Sequence, residues 1–448
     1  MAVGQERIEA RVERASTAPG MEKSWRSSWR LLLPLDNGPA EIRALDGLRA
    51  IAALSIVLFH VLLFMHVEYQ PWSRAVGNFW YVLATGVQLF FTLSGFLLFR
   101  PYTHAMLTGK PLPPAARFYK KRALRILPAY WVALAILLAL SWRIAKDPVW
   151  LNALTHALFI HDIFPRYNRD LDGPFWTLAV EAQFYLLLPW IAAAVAWIAG
   201  HAWRGGRGQE RPRPVKHVIV SLLGMIAVAL AIRWIGAQIM GSLPASAPNT
   251  GGAITALWWL GLILIGMQGK YLEVFLVGAI AATLYTAAMG PRGVRRERLR
   301  PIAAGLALLG LAVMVPCAIF WPLGTVLYQA GTQWGWDVLL YPLATGVGYS
   351  AILLSAVWGG PWLRAPFELP ALRFVGHISY SVYIWHLPIL HAVFPFLLPL
   401  SLPGRVIAVF VIAYLSYQFV ERPFLQRHHR IATGPAQGAA AVAAIWRR

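Results

Sequence analysis

Arg49 and His60 are two ionisable residues within one strongly apolar segment, residues 45–66. His60 follows Arg49 by eleven positions, close to three helical turns, so both side chains lie on one face, about 16 Å apart along the axis. Ionisable groups inside a membrane helix are costly and are functional-site candidates by default. The pair is therefore the first candidate for chemistry in this chain.

Glu181 lies in another apolar segment, residues 175–198. We expect the helix of Arg49 and His60 to run outward and this one to run inward. His60 and Glu181 would then share a depth of about 9 Å below the outer surface. A carboxylate that accepts from one imidazole nitrogen leaves the other to take a proton from a hydroxyl, so the two form a candidate general-base pair. A structural hydrogen bond inside the bundle is the alternative.

Arg122 and Arg125 end a basic stretch that starts at Arg117. They are three residues apart at the start of a helix, so their guanidinium groups point to neighbouring positions. Arginine geometry suits bidentate contacts with phosphate, which makes both residues candidates for binding a phosphate-bearing cofactor. Ordinary anchoring of a cytoplasmic loop by positive charge is the alternative for each of them.

Other polar or small residues interrupt the apolar segments. Ser94 and Gly95 lie near the inner end of the second segment, where close helix packing is the alternative to a role in binding. Glu421, followed by Arg422 and Pro423, ends the last segment, and we interpret it as structural. A polar stripe in the ninth segment either joins helices or lines a cavity. Its members are Ser379, Tyr380, Ser381, Tyr383 and His386.

The composition indicates what kind of fold must position these groups. Of 448 residues, 58% are hydrophobic and 13% are charged, and the mean hydropathy is +0.55. Apolar residues occur in long blocks, which predicts an all-α, polytopic transmembrane helical bundle. The net charge of +21 resides mainly in short loops between the blocks, as expected for orientation in a bilayer and not for binding nucleic acid. The single cysteine excludes an internal disulfide.

The hydropathy pattern predicts about ten spanning helices. The segment 253–268 is expected to be a partial helix, because a further span would move basic clusters to the outer side. With this topology both termini are cytoplasmic. The predicted spans are 45–66, 78–99, 127–142, 175–198, 217–236, 271–289, 301–320, 338–358, 374–396 and 403–420.

Three regions follow from this pattern. We expect residues 1–40 to form a cytoplasmic polar tail without a cleavable signal peptide, 41–427 to form the membrane domain, and 428–448 to form a flexible C-terminal tail. We expect a multi-pass protein of the cell (inner or plasma) membrane. No metal-ligand spacing is present in the sequence, so no metal is expected.

The motifs together resemble acyltransferase family 3, the integral-membrane O-acyltransferases of bacterial sugars. The resemblance covers about residues 41–427. It rests on the order and spacing of six short motifs, of which the interval between Arg49 and His60 is the most specific. They are Leu45-Asp46-Gly47-Leu48-Arg49 through His60, Ser94-Gly95-Phe96, Arg122-x-x-Arg125, Trp176 through Glu181 to Tyr185, Ile378 through His386, and Glu421-Arg422-Pro423.

The resemblance implies transfer of an acyl group from cytoplasmic acyl-CoA to a hydroxyl of a carbohydrate, glycolipid or glycoside acceptor. Acetyl is the family-level expectation for the acyl group. Arg49, Arg122 and Arg125 would hold the CoA phosphates, and Ser94 would lie near the pantetheine arm. His60 would act as general base or acyl carrier, with Glu181 as its partner.

Two alternatives remain open from the sequence. A transporter or exporter of small acids or glycolipids would use the polar stripes as a permeation path, although the matched halves typical of such proteins are not evident. Acylation of a glycosylated small molecule inside the cell would keep the chemistry and change only the side on which the acceptor is reached.

Overall fold

The structure is a computed structural model. It describes residues 42–426 except for 67–78, 142–148, 168–170, 172, 202–211, 245, 267–269, 291–293, 321–336, 392, 395–396 and 398. The polar tail predicted at 1–40 and the flexible tail predicted at 428–448 lie outside the described residues.

The described residues are almost entirely helical, and they contain no β-strand, which confirms the predicted all-α fold. The helices, in chain order, are α1 (Arg43–Phe64), α2 (Gly86–Thr108), α3 (Ala115–Ser141), α4 (Val149–Ala157), α5 (Phe175–His201), α6 (Val215–Ser242), α7 (Ala247–Thr250), α8 (Gly252–Ile265), α9 (Leu272–Met289), α10 (Arg296–Phe320), α11 (Asp337–Trp358), α12 (Pro361–Glu368), α13 (Pro370–His377), α14 (Ser379–Leu390) and α15 (Leu402–Ser416).

Nine helices of the described residues are long and apolar enough to cross a membrane. They are α1, α2, α3, α5, α6, α9, α10, α11 and α15, where α15 continues through a π-helical turn to Gln426. Large apolar side chains on their outer faces are exposed, for example Trp190 at 68% and Leu308 at 69%. Such surfaces suit lipid and not water, so the chain is a multi-pass membrane protein.

The structure differs from the prediction at the ninth span, 374–396, which was expected to be a single long helix. The structure forms two short helices there, α13 and α14, which meet at Ile378 with φ −91° and ψ 6°. Gly376 in α13 packs directly on the backbone of Asp46, where an added Cβ would lie 2.0 Å from the carbonyl oxygen. This close contact with α1 fixes the position of α13, and α14 then continues into the bundle from the break.

The segment 253–268 forms helix α8, which has 14 residues. At 1.5 Å per residue this helix is about 21 Å long, shorter than the roughly 30 Å hydrocarbon core of a bilayer. The structure thus agrees with the predicted partial helix at this position.

Helices α2 and α9 pack with their backbones in contact next to the candidate residue Ser94. A Cβ added at Gly95 would lie 2.0 Å from the carbonyl oxygen of Phe275, and one added at Gly278 would lie 2.3 Å from that of Thr92. Small residues allow this approach of two membrane helices. The glycine of the Ser94-Gly95-Phe96 motif therefore has a packing role that the sequence analysis proposed as an alternative.

The start of α1 is held by α12 and α13. A Cβ at Gly47 would lie 2.0 Å from the carbonyl oxygen of Phe367 in α12. In addition, Arg373 of α13 lies 3.6 Å from the carboxylate of Asp46. These contacts fix the first turns of α1 and, with them, the direction of Arg49.

Candidate functional site

A cavity of about 320 Å³ lies between α1, α2, α3, α5 and α14. Its polar lining includes five of the six residues predicted as site residues, together with Tyr185. The predicted residues in the lining are Arg49, Ser94, Arg122, Arg125 and Glu181. The volume is at the lower end of the range for small-molecule sites, which is about 300–1,000 Å³.

Glu181 is the acceptor at the centre of a small hydrogen-bond network. The hydroxyl of Ser94 donates to Glu181 Oε1 at 2.5 Å, and the hydroxyl of Tyr185 donates to the same oxygen. Tyr185 follows Glu181 by four residues, so both face the cavity from one side of α5. The carboxylate is thereby held in one orientation between α2 and α5.

The three arginines give the cavity a positive lining. Arg122 hydrogen-bonds the hydroxyl of Tyr185 and interacts electrostatically with Glu181 and Arg125. Arg49 interacts with Arg125 and Glu181 as well. Three guanidinium groups thus face the single carboxylate of the lining. Such a cluster is suited to an anionic ligand, because planar guanidinium groups bind phosphate oxygens in pairs.

Glu421 is a residue near the site that the sequence analysis interpreted as structural. It is buried, with 2% of its surface exposed, and accepts a hydrogen bond from Ser381. It also interacts electrostatically with Arg125 and Arg49. Its backbone belongs to the π-helical turn Tyr417–Glu421, a geometry frequent at functional sites. The Glu-Arg-Pro motif at the end of the last helix was the available signal in the sequence.

The polar stripe of the ninth predicted segment lies in α14 and lines part of the cavity. Ser379, Tyr380 and Tyr383 are among the lining residues. The hydroxyl of Tyr383 is 2.5 Å from the hydroxyl of Thr177, and it donates a hydrogen bond to the carbonyl oxygen of Pro174 at 3.2 Å. Of the two roles left open by the sequence, the stripe serves both: it lines the cavity and joins α14 to α5.

His60, the sixth predicted residue, is not among the described residues that line the cavity. Its Nδ1 lies 2.9 Å from the carbonyl oxygen of Ile56 and 3.2 Å from Nε2 of His386. His386 is one turn beyond Tyr383 in α14, and the rings of these two residues are 5.6 Å apart. The two histidines thus lie one layer of side chains beyond the cavity.

The contacts described for His60 and Glu181 are with different partners. Glu181 accepts from Ser94 and Tyr185, whereas His60 lies against His386. Their pairing as a base and its carboxylate stays a prediction. The rotation of α1 relative to α5 and α14, which decides the contacts of His60, could not be inferred from the sequence.

Comparison with known proteins gives a consistent assignment. A family model described as an acyltransferase domain matches residues 42–419. The peptidoglycan O-acetyltransferase OatA of Listeria monocytogenes is 23% identical over 410 residues, which cover 85% of this chain and 55% of the relative. A putative O-acetyltransferase of Staphylococcus aureus strain COL is 24% identical over 405 residues, covering 86% and 57%.

The O-acetyltransferase OatA of Staphylococcus aureus strain NCTC 8325 is 22% identical over 410 residues, which cover 87% of this chain and 58% of that protein. The chain therefore spans a little over half the length of these curated relatives. No solved structure gives a significant match. Because the family model covers most of the sequence, the chain belongs to the acyltransferase 3 family.

Proposed function

We propose that this protein is a membrane O-acyltransferase that moves an acyl group, acetyl in the simplest case, from cytoplasmic acyl-CoA to a hydroxyl of a carbohydrate or glycosylated acceptor. The observation that carries the proposal is the cavity in which Arg49, Arg122 and Arg125 surround the Ser94–Glu181 hydrogen bond. Family membership and relatives named O-acetyltransferases support the same chemistry.

The arginine cluster is the proposed binding site for the phosphates of CoA. Arg122 and Arg125 lie near the start of α3, and Arg49 lies near the start of α1. The volume of about 320 Å³ suits an extended pantetheine arm better than a whole nucleotide, so the adenine end would stay outside the cavity. Ser94 lies beside the path of that arm, where its hydroxyl orients Glu181.

The transfer step is assigned to His60. The acceptor hydroxyl gives its proton to the imidazole, its oxygen bonds to the acyl carbonyl carbon, and the C–S bond breaks. The CoA thiolate that leaves takes up the proton from the imidazolium. In an alternative order His60 first carries the acyl group itself and then passes it to the hydroxyl. Both orders require the acyl end of the donor to pass Tyr383 and reach the histidine.

The acceptor is proposed from chemistry and from relatives. One relative is named a peptidoglycan O-acetyltransferase, which favours a cell-envelope carbohydrate and hence location in the plasma membrane. A glycolipid or a small glycoside offers the same hydroxyl nucleophile.

The test uses the full chain in proteoliposomes with radiolabelled acetyl-CoA and a peptidoglycan-derived oligosaccharide. We expect release of free CoA and transfer of the label to the oligosaccharide. Replacing His60 by Ala should lower kcat at least a hundredfold, because general-base catalysis contributes about 10²–10⁴. His391→Ala is the matched control, since this histidine is exposed at the end of α14 and should leave kcat unchanged.

The donor site is tested separately. Arg122→Ala should raise KM for acetyl-CoA about tenfold or more, since a charged hydrogen bond contributes about 1.5–3 kcal/mol. Arg117→Ala is its control, because Arg117 is exposed on the same helix and does not line the cavity. Parental KM in the Arg122 variant would remove the phosphate assignment. If a labelled small acid instead crossed the vesicle membrane without release of CoA, the alternative function as a transporter would be favoured.

A further inference from the structure

His386 is buried completely and lies against the proposed base. Its exposed fraction is 0%, its Nε2 lies 3.2 Å from His60 Nδ1, and the two ring centroids are 5.0 Å apart. The residue comes from α14, one turn beyond Tyr383. No role for it followed from the sequence beyond membership of the polar stripe.

The hydrogen-bond partners assign the protons of both rings. His386 Nδ1 lies 2.7 Å from the carbonyl oxygen of Tyr383, and His60 Nδ1 lies 2.9 Å from that of Ile56. A carbonyl oxygen only accepts, so each Nδ1 carries the hydrogen. In its neutral form His386 then has its lone pair on Nε2, which points to the Nδ1–H of His60. The His60 Nδ1–H therefore has two acceptors, and the basic lone pair of His60 is on Nε2.

We propose that His386 is a positioning residue that fixes the tautomer and ring orientation of His60 for acyl transfer. This inference rests on the proposed function, in which His60 is the base. When His60 takes the acceptor proton at Nε2, its Nδ1–H stays bound to Ile56 and His386, so the imidazolium is held without a second proton transfer. Rotation of the ring would break both contacts. His386 acts only through His60.

Two amide substitutions at position 386 separate this role from a structural one. Glutamine ends near the position of the imidazole Nε2, so His386→Gln keeps an acceptor for His60. Asparagine ends near the position of Nδ1, so His386→Asn keeps a donor for the Tyr383 carbonyl and removes the acceptor for His60. The positioning role requires that the longer side chain keeps kcat, while both variants keep the KM for acetyl-CoA.

The kinetic assay uses the full chain in proteoliposomes with acetyl-CoA and the oligosaccharide acceptor. We expect His386→Gln to keep kcat within about threefold of the parent. His386→Asn should lose about a hundredfold in kcat, with KM for acetyl-CoA unchanged, because small misplacements of a catalytic group cost about this much. Equal kcat values, or a higher value for Asn than for Gln, would overturn the proposal. His391→Asn is the matched control.

The two proposals can fail separately. Parental activity of His60→Ala would refute the base, whatever the position 386 variants do. Loss of activity in His60→Ala with equal Gln and Asn values would refute only the role of His386.

Should both amide variants fail to fold, nitrogen NMR of the unsubstituted protein with ¹⁵N-histidine decides the question at about pH 8, above the ordinary histidine pKa of about 6.5. A protonated Nδ1 in His60 supports the assignment, and a protonated Nε2 contradicts it.

Discussion

Replacing Gly95 by alanine is the sharpest test of how packing positions the site. The added Cβ would lie 2.0 Å from the carbonyl oxygen, 2.8 Å from the carbonyl carbon and 3.0 Å from Cα of Phe275. Ordinary contact begins at 3.4 Å, so α2 and α9 must separate locally by about 1.4 Å. The obstructing atoms belong to the backbone of a helix, so no side chain can rotate away to relieve the clash.

Two effects are expected from this separation. Overpacking of this kind costs about 1–3 kcal/mol of stability. Ser94 precedes the substituted residue and places its hydroxyl 2.5 Å from Glu181, so a shift of α2 by about 1 Å would break that hydrogen bond. A displacement of this size can lower turnover about a hundredfold. The variant should therefore lose both thermal stability and activity.

The assay combines thermal unfolding in detergent with kcat/KM for acetyl-CoA in proteoliposomes. Gly224→Ala in α6 is the matched control, because a Cβ there meets nothing within 4 Å. This control should be as stable as the parent or slightly more so, since alanine is favoured over glycine in a helix by up to about 1 kcal/mol. Parental stability and activity in Gly95→Ala would refute the close packing of α2 on α9.

Three further predictions concern other contacts of the described residues. Ser94→Ala should lower kcat/KM about tenfold in steady-state kinetics, because Glu181 loses a charged hydrogen bond. Glu421→Ala should lower the free energy of unfolding by about 1–3 kcal/mol in a denaturant titration, because the buried hydroxyl of Ser381 loses its acceptor. Burial lowers the pKa of His156 to about 3 and that of His161 to about 4, so both imidazole rings are uncharged in the folded protein at neutral pH. The free energy of unfolding should be highest above the unfolded histidine pKa of about 6.5. It should fall by about 1.4 kcal/mol per pH unit for each ring as the pH drops from there to the folded pKa values, which a falling Tm would show. His161→Phe should make this dependence on pH less steep.

The helices could be predicted well because their signal is local. Apolar blocks of the right length identify membrane helices wherever they occur, and nine of the ten predicted segments correspond to long apolar helices of the described residues. The largest differences are at the start of α3, which begins at Ala115, and at the end of α2, which ends at Thr108. Residues 374–396 were the exception. Their break at Ile378 depends on contact of Gly376 with Asp46, more than 300 residues away in sequence, and no local pattern encodes it.

The site could be predicted in part for the same reason. Arg49, Ser94 and Glu181 stand out as polar residues in apolar surroundings, and the structure does bring them to one cavity. Which polar groups pair with one another depends on helix rotation, which the sequence does not give. The structure places His386 beside His60, a contact that the sequence did not indicate, and the pairing of His60 with Glu181 stays a prediction.

Helices α1, α13 and α14 together set the distance between the proposed donor site at Arg49 and the proposed base, His60. Arg49 and His60 are fixed about 16 Å apart because both belong to one helix. The close contact of Gly376 with Asp46 joins α13 to the start of α1, and the contact of His386 with His60 joins α14 to the C-terminal half of α1. A donor held by the arginines would therefore meet His60 at a distance set by helix geometry, so loosening either contact should change turnover more than it changes donor affinity.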